Sequence, residues 1–253
     1  MHLQATPAGD LGHLHARKNH CPPNDALPGA LFLEANATII KEGAPLDCVH
    51  VMHMGWACRY NIMKDGKRQI SAFLLPGDVC ESTPMHGTLI DYSVCTLTPS
   101  LVKPISIEGP LGLAQPFDQM QSILSGSLLE QRLLRAWLAN VGRRNAYNRV
   151  AWLICELHER LSILGLADEA GFDCPLTQEV IADAVGLTSV HVNRVMKQFR
   201  DENLFSFRSG RVAFAGVHNV RKLCGFDPAY LHLDLAQHIK ATPTRRVQLS
   251  DCP

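Results

Sequence analysis

The sequence predicts an α+β protein: a β-rich first half leads through a long helix into a small helical domain that carries a β-hairpin. Three observations predict it. From about Ala35 to Ile107, short apolar runs alternate with turn signals. From about Phe117 the apolar residues switch to helical spacing. From Leu176 to Arg200, two short helical patterns flank a glycine. The 253 residues suffice for two modest domains, each with its own core. Hydrophobic residues make up 46%, which puts the chain in the globular class and not the disordered one.

Residues 1–22 read as a flexible leader closed by Pro22-Pro23. Met1 to His20 holds Asp10, four histidines and little apolar run, unlike a secretory signal or a transit peptide. Residues 23–112 read as the β domain. Its turns are Lys41-Glu42-Gly43, Asp65-Gly66 and Pro76-Gly77-Asp78. Between them lie Cys48–Met54, Ala57–Met63, Gln69–Leu75 and Tyr92–Thr98, rich in Val, Ile, Phe, Tyr and Thr as strands are. Asp65-Gly66 between two such runs signals a hairpin, because glycine tolerates the positive φ of a tight turn. Several short strands at this spacing point to a β-sandwich or barrel.

Residues 113–142 read as a long helix. Met120, Leu124, Leu128, Leu134, Leu138 and Val141 recur at helical spacing, with Ile123, Leu129, Leu133 and Trp137 beside them. Near 25 residues, it would be roughly 37 Å long. Apolar on more than one face, it has more surface to bury than one β domain can cover, and a second copy of itself is the simplest partner. Residues 143–226 read as the helical domain. A second helix runs from about Asn145 to Leu164, with Val150, Leu153, Ile154, Leu157, Leu161 and Leu164 as its buried stripe. Gly165 and Asp168–Pro175 end it. Residues 227–253 read as a tail, with a short helix over Tyr230–Ile239.

Thr177 is a good N-cap for a helix over Gln178–Val185, and Gly186 supplies a turn. Thr188 or Ser189 caps a second helix. Its pattern turns Val190, Val195, Met196 and Phe199 inward, and leaves His191, Asn193, Arg194 and Lys197 outward. Two short helices joined by a glycine turn make a helix-turn-helix, and the small Ala182 lets them cross closely. The outward residues suit a major groove. Arg194 can donate two parallel hydrogen bonds to guanine, and Asn193 can pair with adenine. Thr188 and Ser189 sit at the helix N-terminus, where hydroxyls and backbone N–H groups meet phosphates; His191 suits either task. Phe205 to Phe214 reads as a hairpin turning at Ser209-Gly210, with Arg208 and Arg211 placed for the minor groove or for phosphates.

Formal net charge is zero, so the partner shows only in local charge. From Thr188 to Lys222, seven basic residues face two acidic ones, as phosphate binding requires. No stretch approaches the ~18 apolar residues of a membrane span. The nine cysteines are odd in number, widely spaced and without a Cys-x-x-Cys, which suits a reducing cytoplasm better than a disulfide framework.

The chain resembles the Crp/Fnr superfamily of transcription regulators. The resemblance spans about Leu27 to Gly225. It is most specific in Leu176-Thr177-Gln178-Glu179 and in Gly186 through Arg194. It extends to Asp65-Gly66-Lys67-Arg68-Gln69-Ile70, to Leu75-Pro76-Gly77-Asp78, and to the Gly142–Arg149 run at the helix hinge. It implies an N-terminal β-roll like a cyclic-nucleotide-binding jelly roll, a dimerisation helix and a C-terminal winged helix-turn-helix. It implies a cytoplasmic homodimer that binds double-stranded DNA at a palindrome, with RNA polymerase as a further partner. By this similarity Val190, Asn193 and Arg194 hold the base-reading positions, although Val190 replaces the glutamate of many relatives. The expected DNA contacts are Thr177, Gln178, Thr188, Ser189, Val190, His191, Asn193, Arg194, Lys197, Arg208 and Arg211.

No cofactor, metal or catalytic residue is expected. Cyclic-nucleotide-binding members hold the phosphate with an arginine soon after a Gly-Glu turn. Here Gly77-Asp78 begins the turn, and no Lys or Arg occurs from Gln69 to Val102. Burying a phosphate without a cation is costly. Ser82-Thr83 and backbone N–H groups remain for a neutral ligand. Iron–sulfur relatives use several clustered N-terminal cysteines, and this chain has only Cys21 there. His13, His15 and His20 read as solvated side chains. A haem or other small ligand stays open. His50 and His53, three apart on one strand, point to opposite faces. Cys58, Cys80 and Cys95 read as small buried hydrophobes, with a redox role open. A cupin-like enzyme would need convergent ligands; His50, His53 and His86 form no His-x-His pair, and no nucleophile with its base is visible.

Overall fold

In this computed structural model the described residues are 28–46, 48–81, 89–106 and 117–231, with side chains from residue 124 onward in the long helix. The leader with its histidines and Cys21, Ser82-Thr83, His86, the Met120 side chain and the tail beyond Leu231 lie outside them.

The first domain is a sandwich of two antiparallel sheets. One contains β1 (Leu31–Leu33), β7 (Ser100–Ser106) and β3 (Cys48–Met54), in that order. The other contains β2 (Thr38–Ile40), β6 (Ser93–Thr96), β4 (Ala57–Ile62) and β5 (Arg68–Leu74). The four strands expected from the sequence are β3 to β6. The β4–β5 hairpin turns at Asp65-Gly66, where Gly66 has φ 82° and the Gly66 N–H donates to Met63 O at 2.9 Å. The strands missed, β1, β2 and β7, are short or carry a proline. Pro104 sits in β7 beyond the end of β1, where no neighbour needs its missing N–H.

The four-stranded sheet is buried on both faces. Ala57, Leu74 and Val94 enter the sandwich core with Val49, Met52 and Val102. Cys58, Ile70, Phe73 and Leu75 face the other way and join a larger core made with the helices. A register shift between Arg59 and Tyr60 lets Ile70 and Phe73 share a face despite odd spacing.

Helix α1 runs Phe117–Arg143 and α2 runs Ala146–Ile163, with Asn145 capping α2 by accepting from Asn148 N. Leu133, Trp137 and Asn140 form the inner face of α1. Trp137 packs edge-on against Phe73, ring centres 5.7 Å apart. Leu124, Leu128, Leu134 and Leu138 lie on the exposed face, Leu138 with 74% of its surface open. The broad apolar stripe is thus two stripes, one used within the chain and one left outside. Val141 is half-buried beside the Gly186 turn.

The last domain packs around α2. Strands β8 (Ala167–Asp168) and β9 (Gly171–Asp173) extend a hairpin of β10 (Phe205–Arg208) and β11 (Arg211–Phe214) into the sheet order β10-β11-β9-β8. By sequence pattern alone this stretch reads only as the end of α2. Gly171 is what allows it: a Cβ there would lie 1.9 Å from Val212 O. Helices α3 (Gln178–Val185), α4 (Ser189–Asp201) and α5 (Val217–Cys224) complete the domain. Packing continues past Phe226, the expected end of the domain. A 3₁₀ turn at Pro228–Tyr230 stacks Tyr230 on Trp152 at 5.9 Å and buries Leu231.

The two domains touch directly. Arg68 on β5 donates through Nε to Asp183 on α3 at 2.8 Å, and Arg160 on α2 pairs with Asp78 and donates to Phe73 O at 3.0 Å.

Candidate nucleic-acid interface

Helices α3 and α4 are set by local chemistry. The Thr177 hydroxyl accepts from Val180 N and that of Thr188 from His191 N, each at 3.2 Å. Between them Gly186 takes the left-handed conformation, φ 65°, and the Leu187 N–H reaches back to Ala182 O at 3.0 Å. Ala182 is buried in the crossing. Behind α4, Phe199 stacks on Phe205 at 4.4 Å and lies 4.2 Å from Tyr147 of α2.

Val192, Val195, Met196 and Phe199 form the inner face of α4. Val190, expected inward from the pattern, points outward instead, 70% exposed, and Val192 takes the inner place. The spacing carries that signal: 192, 195, 196 and 199 fit one helical stripe, and 190 does not. The outer row is Val190, Asn193, Arg194 and Lys197, at i, i+3, i+4 and i+7, all exposed. Thr177, Thr188 and Ser189 are exposed near the row's start, and Gln178 and His191 are half-buried there. Asn193 Nδ2 donates to Gln178 Oε1 at 2.9 Å, a link between the helices that the sequence does not show. It leaves Asn193 Oδ1 outside this bond.

The hairpin turns at Ser209-Gly210, both with positive φ, and Arg208 and Arg211 are cross-strand neighbours. Arg211 donates to Asp173 of β9 at 2.9 Å, a partner that only the fold supplies. Not all the local basic charge faces out: Arg221 turns inward to Glu159 at 2.5 Å.

Residues 148–226 match the Crp-like helix-turn-helix domain, and residues 30–109 match the cyclic nucleotide-binding domain. The transcriptional activator protein FnrL of Cereibacter sphaeroides is 30% identical over 198 residues, spanning 74% of this chain and 73% of its own. The chain belongs to the Crp/Fnr family. The nitrogen fixation regulation protein FixK of Rhizobium meliloti is 24% identical over 189 residues, covering 74% of this chain and 82% of its own. FixK2 from Bradyrhizobium japonicum shares the fold, with TM-score 0.66 and 22% identity over 77% of this chain and 96% of its own. A CRP-family regulator from Thermus thermophilus gives TM-score 0.63 at 18% identity, covering 77% and 96%. Like its relatives, this Crp/Fnr protein is a transcription regulator with a helix-turn-helix DNA-binding domain, and not an enzyme.

In this Crp/Fnr chain a cavity of about 70 Å³ lies between the β domain and α1, lined by Arg59, Phe73, Asp78, Glu130, Leu133 and Arg160 among others. The sequence offers no cation near this turn; the fold brings Arg59 from β4 and Arg160 from α2. Both are engaged. Arg59 pairs with Glu130 and donates to Cys80 O at 2.7 Å, and Arg160 pairs with Asp78. Burial holds the Arg59 guanidinium below its ordinary pKa.

Among the described residues no group of three or more His, Cys, Asp or Glu could hold a metal ion. His53 is pushed below its ordinary pKa by burial and then by Lys103. Cys58 and Cys80 are fully buried, and Cys58 Sγ lies 3.6 Å from Cys95 Sγ across the β4–β6 pair. Among the described residues no helix is long and apolar enough to cross a membrane.

Proposed function

We propose that this regulator acts in the cytoplasm as a homodimer that reads a palindromic operator through α4 and works with RNA polymerase there. The observation that carries it is the outer row of α4. Four exposed side chains on one face, held from behind by a packed aromatic stack, suit the floor of a major groove. Arg194 would bind guanine O6 and N7. Asn193, steadied by Gln178, would pair with adenine. Val190 has no hydrogen-bonding group and suits the methyl of thymine. Thr177, Gln178, Thr188, Ser189, His191, Lys197, Arg208 and Arg211 would hold phosphates around them. The exposed leucines of α1 supply the dimer seam: Leu124 and Leu138 are two heptads apart, and Leu134 and Val141 one. Two recognition helices would then meet half-sites one helical turn apart, about 34 Å.

Selection of bound duplexes from a random pool tests this reading. A two-fold symmetric site should emerge, and Arg194→Ala should weaken binding to it by about 1–3 kcal/mol. Unchanged affinity in that variant would remove α4 as the reader.

No cofactor is required in this reading, and cyclic nucleotides do not bind. The small cavity and the internal pairing of Arg59 and Arg160 support it. Calorimetric titration with cyclic AMP and cyclic GMP should give no binding heat; a saturating isotherm with either would refute this part.

A further inference from the structure

Cys48, His50 and Glu81 lie in line within the β domain, and no part of the DNA-binding reading uses them. Cys48 and His50 are two apart on β3, so both side chains stand on one face. His50 Nε2 is 3.6 Å from Cys48 Sγ. His50 Nδ1 is 2.5 Å from Glu81 Oε1, and the other carboxylate oxygen accepts from His50 N at 2.7 Å. Glu81 is buried and held at both ends, so it fixes the imidazole ring. With its Nδ1 proton donated to Glu81, the imidazole turns the Nε2 lone pair toward the thiol. This is the order nucleophile, base, orienting carboxylate that activates cysteine elsewhere in chemistry. Among the described cysteines, Cys48 is half-buried and the other six are buried.

We propose that Cys48 is a modification site: a thiol, activated by His50 and Glu81, that reacts with small hydroperoxides. His50 Nε2 takes the thiol proton. The thiolate sulfur attacks one peroxide oxygen and the O–O bond breaks. The leaving hydroxide takes the proton back from Nε2 and departs as water. With hydrogen peroxide, thiol and peroxide give sulfenic acid and water; sulfur is oxidised by two electrons and the peroxide is reduced by two. An unactivated thiol is only a few per cent thiolate at pH 7, so full activation allows a gain of about 10- to 30-fold in rate.

The test uses the full-length protein and hydrogen peroxide, with dimedone to trap sulfenic acid and mass spectrometry to locate it. Cys48 should be trapped at least about tenfold faster in the wild type than in His50→Gln. Iodoacetamide labelling of the buried cysteines, slow in both proteins, reports that the variant is folded. Equal Cys48 rates in two folded proteins would overturn the proposal, as would trapping at a buried cysteine ahead of Cys48. Should His50→Gln unfold, the wild-type pH profile decides alone. An activated Cys48 keeps its rate from pH 9 down to about 7, whereas an ordinary thiol loses it below about pH 8.5. Glu81 and His50 both bear on that profile. Across the sheet β7 places Ser106 and Pro104 beside Cys48 and His50, while Lys103 is opposite Val51.

Discussion

With α4 reading DNA as proposed, Val190 would set a sequence preference by what it lacks. Exposed at the second position of α4 and unable to hydrogen-bond, it leaves any polar base edge against it unsatisfied, and only the thymine methyl gains from contact. Replacing thymine by deoxyuridine, one position at a time across the selected half-site, should therefore find one position where binding weakens. Loss of one methyl contact corresponds to about 0.8 kcal/mol, near fourfold. In Val190→Ala the same scan should be flat there; an unchanged penalty would assign the methyl to another residue. The direction of Val190 is legible in the spacing of its neighbours. The bond from Asn193 to Gln178 is not, because it joins residues 15 apart in sequence that meet only when α3 and α4 cross.

At the scale of elements, α3, α4 and the hairpin are legible nearly to the residue because their boundaries are local. A hydroxyl three residues before an N–H, a glycine in the left-handed region and a two-residue turn act within one or two turns of chain. Strands β1, β2, β8 and β9 escape the sequence pattern because a strand of two or three residues is stabilised by its partner and not by its own pattern, and the seven-residue β7 escapes it because Pro104 interrupts the run. Helix α1 is legible whole, but its two faces are not told apart. Leu133 and Trp137 are covered by the β domain, while Leu134 and Leu138, one residue further on, are not. The outer leucines should hold the second copy. Leu138→Glu should move the mass in solution from twice 27.9 kDa toward 27.9 kDa, read by light scattering. A variant that stays dimeric would place the interface elsewhere.

The whole molecule is tied together where α1, α2 and the 3₁₀ turn meet at Glu156. This carboxylate is fully buried; Trp137 Nε1 donates to it at 2.7 Å, Tyr230 reaches it at 3.3 Å and Arg160 lies 3.5 Å away. Burial raises its pKa from 4.5 to about 7, against the opposing pull of Arg160, Trp137 and Tyr230. The folded protein then holds a proton that the unfolded chain releases. Stability should fall as pH rises from about 4.5 to 7, by a contribution on the order of 3 kcal/mol, and level off above. Denaturant unfolding at several pH values should show that slope, and Glu156→Gln should flatten it; an equal slope in the variant would acquit Glu156. The sequence alone settled that a β domain leads through a long helix into a helix-turn-helix with a wing. Those are matters of periodicity, capping and turn chemistry, all of short range. Tertiary structure decided the rest: the arginines that line the cavity, the thiol set beside His50 and Glu81, and the leucines left exposed on α1. Each depends on groups far apart in the chain, and their separation and desolvation are set only when the sheets and helices pack.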